Sequence, residues 1–488
     1  MVVDIPSLTT SLFLGGEWSA GGAGAFTTLN PATGEALAEI AAADEADVDR
    51  AVAIAGETLT GAWAAVPPSQ KGLLLNRLAD LVERDAQTLA TLESLDMGAP
   101  LTSVTAMFIP NLVASLRYYA GWADKINGEL ITNDGYMGAP THCYSRREPV
   151  GVIAAIVPWN APLMILGWKL APALATGNTV IVKPAEDASL SILHLATLID
   201  EAGFPAGTVQ VLPGQGSVVG EALALHAGVQ KVSFTGSTEI GRRILRNSAV
   251  NFKRTTLELG GKSPQIIFDD ADLESAVRGA AMGIFSNQGE VCAAGTRILV
   301  HRKVFDAVLD GLAQAAKAQV VGNPFDQATT MGPLVNANQR ERVLGYIEKG
   351  HAEGATLVAG GSAPEDAGFF VAPTVFAGNN DLTIAREEIF GPVGTVIAFD
   401  NDDDAIALAN DNDYGLAATV WTTDLSRAHT VSARLQVGAI GVNGWSPLAP
   451  QLPWGGQKAS GIGRELGTEA VLANTETKTV TIVLGGNN

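Results

Sequence analysis

Cys292 is one of two cysteines in 488 residues, and it lies in the segment Phe285-Ser286-Asn287-Gln288-Gly289-Glu290-Val291-Cys292-Ala293-Ala294-Gly295. Glycine and small residues crowd this stretch, so the backbone can bend and carry the sulfur to the floor of a cavity. Earlier stands Glu258-Leu259-Gly260-Gly261-Lys262-Ser263-Pro264, a carboxylate that ends an apolar run and precedes two glycines. A thiol nucleophile and a carboxylate base on glycine-rich turns suggest covalent catalysis. A lone cysteine is more often a small buried hydrophobe. The surroundings must decide.

Those surroundings read as alternating strands and helices. Apolar β-rich runs at 152–157, 179–182, 208–212, 232–234 and 256–259 alternate with helical stretches such as 190–202 and 217–225. Buried strands separated by helices imply βα units around a parallel sheet. The pattern restarts after Glu258, with strands expected at 265–268, 297–300, 371–375, 396–399 and 418–422 and helices at 304–318 and 338–353. The fold class is therefore α/β, with two open α/β units in tandem. Ahead of them, Leu12 to Trp18 reads as strand and turn, and 46–58, 70–93 and 104–125 carry helical spacing. Residues 126–147 lose any long period and suggest a protruding hairpin. The tail, 477–484, alternates Thr and Val like an edge strand, which calls for a partner in the early hairpin or in another subunit.

Bulk properties exclude several functions. A prior of about 150 residues per domain gives about three units. Apolar residues make up 47% and charged ones 17%, which is globular composition. A net charge of −20 argues against sequence-independent binding to nucleic acid or an anionic membrane. Cys143 and Cys292 do not make a disulfide framework, and six scattered histidines lack ligand spacing, so no metal is expected. Residues 150–175 are nearly continuously apolar, yet Pro158, Asn160, Pro162, Lys169 and Pro172 interrupt them. A buried strand followed by a buried helix fits better than a membrane span. The start, Met1-Val2-Val3-Asp4, lacks a basic region and an apolar core, so the expected compartment is the cytoplasm.

In open parallel sheets, ligands sit at the carboxyl ends of the strands. Pro158-Trp159-Asn160, Lys183-Pro184-Ala185-Glu186, Pro213-Gly214-Gln215-Gly216 and Phe234-Thr235-Gly236-Ser237 all follow strands there. In the last, a Gly-Ser turn opens a helix whose free N–H groups and dipole suit a phosphate. Gly236 and Gly241 do not spell the common dinucleotide fingerprint.

Taken in order, these motifs closely resemble the aldehyde dehydrogenase superfamily. The set is Pro158-Trp159-Asn160, Lys183-Pro184-Ala185-Glu186, the Gly236 turn, Glu258-Leu259-Gly260-Gly261-Lys262, Cys292 and Glu387-Glu388-Ile389-Phe390-Gly391-Pro392-Val393. Pro453-Trp454-Gly455-Gly456 and Ser460-Gly461-Ile462-Gly463-Arg464-Glu465 extend it over essentially the whole chain. The resemblance implies a Rossmann-like NAD-binding domain from residues 1–126 and 150–259 and a catalytic domain at 260–473. It also implies a small β oligomerisation arm from 127–149 and 474–488, through which such subunits form homodimers or homotetramers.

The same resemblance assigns roles. Cys292 would be the nucleophile, Asn160 an oxyanion donor together with the Cys292 N–H, and Glu258 the base that activates water against a thioester. Lys169 joins this catalytic set. Cofactor contacts would come from Ile156, Val157, Pro158, Trp159, Lys183, Glu186, Gly216, Gly220, Phe234, Gly236, Ser237, Ile240, Leu259, Gln339, Arg342, Glu388 and Phe390. A carboxylate at Glu186 accepts from ribose hydroxyls and repels a 2′-phosphate, which favours NAD over NADP.

Asn111, Ala161, Met164, Trp168, Val291, Ala293, Trp445, Leu448 and Trp454 would surround the substrate. Betaine- and aminoaldehyde dehydrogenases carry an aromatic where Ala161 stands and usually Trp where Ser286 stands, so the cation cage is incomplete here. No arginine occupies the tunnel positions. A neutral aliphatic or aromatic aldehyde is the expected substrate. A betaine-, amino- or semialdehyde remains the alternative. A CoA-acylating relative would typically lack Glu258, and a catalytically dead one would lack Cys292 or Asn160.

Overall fold

The strand–helix alternation folds as expected, around two sheets. A computed structural model describes residues 6–364, 368–445 and 448–485. The outermost residues expected in the first unit and in the arm, 1–5 and 486–488, lie outside the described residues. Five parallel strands form the centre of the first sheet, in the spatial order Val209–Val211, Thr179–Lys183, Val152–Ile156, Lys231–Thr235, Arg254–Glu258. Chain order reverses between Val152–Ile156 and Lys231–Thr235, and the crevice at such a reversal is where a doubly wound sheet takes ligands.

The second sheet carries six parallel strands in the order Thr374–Gly378, Val393–Phe399, Arg297–His301, Pro264–Ile267, Ala417–Trp421, Ala439–Val442. An antiparallel strand, Thr356–Ala359, edges it. A third, smaller sheet joins Leu130–Ile131, Thr141–Pro149 and the tail strand Thr475–Val483, all antiparallel. The tail thus pairs with the strand Thr141–Pro149 of its own chain, which includes the end of the hairpin expected at 126–147. The short strand Gly461–Ile462 lies within the 260–473 segment but pairs with Arg254–Glu258 at the edge of the first sheet.

Local chemistry explains where the elements depart from the expected spans. The helix expected at 70–93 is two, Pro68–Arg84 and Ala86–Met97, broken at Asp85. There the carboxylate is drawn out to Arg84 and His194. The stretch 104–125 begins as a π-helical turn, Val104–Phe108, before the helix Ile109–Ala120. Pro110 offers no N–H, and a widened turn ahead of it absorbs the missing bond. The strand expected at 371–375 starts only at Thr374, after Pro373.

The apolar stretch 150–175 resolves into the strand Val152–Ile156 and the helix Pro162–Ala175, buried on every face. Among the described residues no helix is long and apolar enough to cross a membrane. Pro162 starts this helix at a position where its missing N–H costs nothing. The helix runs under the first sheet, with Asn160 and Ala161 at its mouth and Lys169 in its middle.

Candidate active site

Two adjoining cavities open at the carboxyl ends of the first sheet. One, of about 360 Å³, is lined by Ile156, Val157, Lys183, Glu186, Gly216, Gly220, Phe234 and Ile240. The other, of about 260 Å³, is lined by Asn160, Ser237, Glu258, Leu259, Cys292, Gln339, Arg342, Glu388 and Phe390. Pro158, Trp159 and Gly236 border both. Every residue that the sequence placed around the cofactor borders one cavity or the other. Cys292, Glu258 and Asn160, far apart in sequence, face the same smaller cavity.

The larger cavity is a paired polar cradle. Lys183 Nζ donates to Glu186 Oε2 at 2.7 Å, and the Gly216 N–H donates to Glu186 Oε1 at 2.6 Å. Gly216 starts a π-helical turn, Gly216–Gly220, so the helix expected at 217–225 is reduced to Glu221–Leu225. Ser237 caps the helix Thr238–Asn247, accepting from the Ile240 N–H at 3.3 Å. The remaining free N–H groups and the helix dipole favour a phosphate. A carboxylate for ribose hydroxyls, a phosphate-ready helix start and two joined chambers fit a dinucleotide. On the wall of the adjoining smaller cavity, Gln339 donates to the Phe390 carbonyl at 2.6 Å and Arg342 to the Glu388 carbonyl at 2.8 Å. Phe390 stands edge-on to Trp159, with ring centroids 5.3 Å apart.

The smaller cavity has the opposite character. Glu258, the last residue of its strand, is 3% exposed, and neither carboxylate oxygen has a hydrogen-bond partner. Burial above all, then the Glu465 carboxylate, pushes its acid well above the usual range, against the opposing pull of Lys169 and Arg464. Burial likewise pushes the Cys292 thiol up to about 12, with Glu258 and Glu388 adding to the effect. Asn160 donates one amide hydrogen to the Glu290 carbonyl at 2.8 Å, which leaves the second free on the cavity side. Gly455 has φ of +154°, and a Cβ there would stand 2.6 Å from Glu258 Oε1, so only glycine fits against the carboxylate.

Comparison with known proteins decides what this site belongs to. The aldehyde dehydrogenase family profile matches residues 18–480. A putative aldehyde dehydrogenase of Bacillus subtilis is 47% identical, over 98% of this chain and 96% of its own length. The chain belongs to the aldehyde dehydrogenase family. Among solved structures, an aldehyde dehydrogenase of Bacillus cereus in complex with NAD⁺ superposes with a TM-score of 0.95 at 45% identity, covering 98% of this chain and 97% of that one. An indole-3-acetaldehyde dehydrogenase of P. syringae superposes equally well, with a TM-score of 0.95, 44% identity and the same coverage of each chain.

Not every expected site residue of this aldehyde dehydrogenase meets the cavity. Lys169 is fully buried behind Glu258, paired with Glu465 and donating to Thr235 at 2.8 Å and Ser233 at 3.3 Å. It borders neither of the two cavities, but lines a small separate pocket with Ser233, Arg464 and Glu465. None of the nine expected substrate residues borders the Cys292 cavity. Ala161, Met164, Trp168, Ala293 and Trp454 form one apolar cluster, with Val291, Leu448 and Cys292 packed against it. Trp168 and Trp454 have ring centroids 6.4 Å apart, and Trp168 donates to the Asn111 carboxamide at 2.7 Å. Trp454 and Leu448 also border a separate cavity of about 200 Å³. Trp445 lies over Gly283, where a Cβ would be 3.2 Å from its Cδ1. Ser286 borders a groove shared with Met282 and Thr330 that includes none of the nine.

Two residues of this site escaped assignment from sequence. Glu465 closes the Ser460–Glu465 motif with no role attached to it, yet it is 3% exposed and paired with Lys169. Glu290 sits two residues before Cys292 and is completely buried. Neither position carries a local signal, because burial is set by the strand Gly461–Ile462 crossing to the first sheet and by the turn at Asn287.

Proposed function

We propose that this aldehyde dehydrogenase uses NAD to oxidise a neutral, apolar aldehyde to its carboxylic acid through a covalent adduct on Cys292. The observation that carries the reading is the convergence of Cys292, Glu258 and Asn160 on one cavity of about 260 Å³. Lys183, Glu186 and the Ser237 helix start would hold the ribose and pyrophosphate, and Glu388 and Phe390 the nicotinamide end. When bound there, NAD would supply the hydride acceptor for the oxidation.

The chain's own groups supply the rest. The Cys292 thiol gives its proton up to solvent as Sγ bonds to the carbonyl carbon. The free Asn160 amide hydrogen and the Cys292 N–H hold the oxyanion, and donors of that kind are worth about 3 kcal/mol of barrier each. Loss of the hydride leaves a thioester on Cys292. Glu258 then removes a proton from water, which attacks the acyl carbon and releases the acid, and the proton on Glu258 passes to the departing Cys292 Sγ. A carboxyl group with raised affinity for protons suits that step.

Substrate class follows from the absence of charge. None of the nine residues assigned to the substrate is ionisable, so neither an ammonium nor a distal carboxylate would find a counterion. Ala161, with no side chain beyond Cβ, leaves room beside Trp168 and Trp454 for an aliphatic or aromatic group. Residues 1–126 with 150–259 would serve the cofactor, 260–473 the chemistry, and 127–149 with 474–488 the assembly of a homodimer or homotetramer.

The test is NADH formation from hexanal, benzaldehyde and betaine aldehyde, each with and without coenzyme A. The expected ranking places hexanal and benzaldehyde above betaine aldehyde in kcat/KM, with no effect of coenzyme A. Betaine aldehyde as best substrate would overturn the substrate class. A requirement for coenzyme A would overturn hydrolysis.

A further inference from the structure

The turn leading to Cys292 holds a backbone shape that needs outside support. Asn287 and Gln288 are adjacent, buried and both left-handed, with φ of +48° and +58°. Residues other than glycine adopt that region only where neighbours impose it. Four hydrogen bonds impose it here. Asn287 Nδ2 donates to the Asn160 carbonyl at 2.8 Å and to the Glu290 carbonyl at 3.2 Å. Gln288 Oε1 accepts from the Gly332 N–H at 3.3 Å. Glu290 Oε1 accepts from the Val335 N–H at 3.0 Å.

Glu290 is the unusual member. It is 0% exposed, and its second oxygen, Oε2, has no partner. Burial, with the Asp187 carboxylate adding to it and the Val335 N–H opposing, pushes its acid well above the usual range. Its backbone carbonyl is the acceptor that occupies one hydrogen of the Asn160 amide. A buried acid with no cation beside it is a poor way to stabilise a fold. It is a good way to fix one loop against another.

We propose that Glu290 is a positioning residue: its side chain ties the Cys292 loop to residues 332–336 and so fixes the carbonyl that orients Asn160. This rests on the proposed role of Asn160 as oxyanion donor. The tie ends beside the nucleotide end of the site, where Asn336 caps the helix Ala337–Ala352 by accepting from the Gln339 N–H at 2.8 Å. Because Glu290 acts on an interaction that matters as the oxyanion forms, its loss falls on kcat rather than on the KM for NAD.

The experiment is a double-mutant cycle on the full-length enzyme with hexanal and NAD. Glu290→Ala lowers kcat by about 10- to 100-fold, the scale of a misplaced catalytic group, with the KM for NAD within about threefold of wild type. Glu290→Gln recovers most of that loss, because its carboxamide oxygen still accepts from Val335. Adding Glu290→Ala to Asn160→Ala costs less than about twofold more, since the group being positioned is already gone. If Glu290→Ala does not fold, Glu290→Asp, one methylene too short to reach Val335, enters the same cycle. Additive losses alongside an impaired Asn160→Ala enzyme would overturn this inference alone. Normal turnover by Asn160→Ala would overturn the oxyanion role and this inference with it.

Discussion

The cradle around Glu186 and the chamber around Cys292 adjoin, yet they treat polar groups in opposite ways. In the cradle both carboxylate oxygens of Glu186 are satisfied, by Lys183 and by the Gly216 N–H. In the chamber both carboxylate oxygens of Glu258 are buried with no partner, and the thiol beside them is pushed up to about 12. An unmade hydrogen bond at a buried polar atom costs about 1–3 kcal/mol, so the chamber is held open at the expense of stability supplied by the surrounding apolar cluster. The difference separates holding from reacting. A binding cradle works when its groups are pre-paired and rigid. A reactive chamber needs groups that a substrate, a water or a proton will complete.

The contrast breaks most completely at Cys292. Cys292→Ala abolishes aldehyde oxidation while NAD still binds, because the cradle shares no side chain with the sulfur; calorimetric titration with NAD reads the second half. Turnover by this variant above a few per cent of wild type would remove the covalent mechanism. Next in size is Glu258→Gln. It is expected to release about one NADH per subunit in a burst and then turn over at least 100-fold more slowly, because hydrolysis of the thioester loses its base. The sign of the pH dependence follows from the raised acid. A base works only when ionised, and raising its pKa moves the acidic limb of kcat up from the ordinary carboxylate range. That limb should vanish in Glu258→Gln, and an unchanged steady-state rate would point to a different base.

Smaller effects sharpen the contrast at its margins. Ala161→Phe fills the apolar space at the mouth of the Pro162–Ala175 helix, and overpacking of that kind costs about 1–3 kcal/mol. Activity on benzaldehyde should fall about 5- to 100-fold, with acetaldehyde little affected; equal losses on both would place Ala161 away from the substrate. In the cradle, Glu186→Gln should narrow the preference for NAD over NADP several-fold, because one charge contact in a partly solvated groove is worth about 1 kcal/mol. Equal kcat/KM for the two cofactors in wild type would end that reading.

Strands and their alternation with helices were legible because a buried parallel strand writes itself as a short apolar run, as at 152–157 and 179–182. Helix interruptions were less so. Asp85 and Pro110 reshape helices through side-chain competition and a missing donor, which a periodicity of apolar residues does not register. Motif residues at strand ends fell into the two cavities because the end of a parallel strand is a fixed address. Glu465 and Glu290 escaped because their burial depends on segments arriving from elsewhere. The residues assigned to the substrate were legible only as a group. Their apolar character is in the sequence, but which wall each one forms depends on how the helix Pro162–Ala175 meets the loop around Trp454.

Lys169 and Glu465 are 296 residues apart in the chain, and each is buried against the other. Ribosomes add about 5–20 residues per second, so the lysine leaves the ribosome about 15–60 s before its carboxylate does. During that interval an ammonium stranded inside the first sheet would carry a desolvation cost of several kcal/mol. The helix Pro162–Ala175 therefore cannot settle fully under its strands until nearly the whole polypeptide has been made. Gly461–Ile462, which closes the edge beside Glu258, arrives in the same late segment. The reactive chamber is thus the last part of the first sheet to be finished.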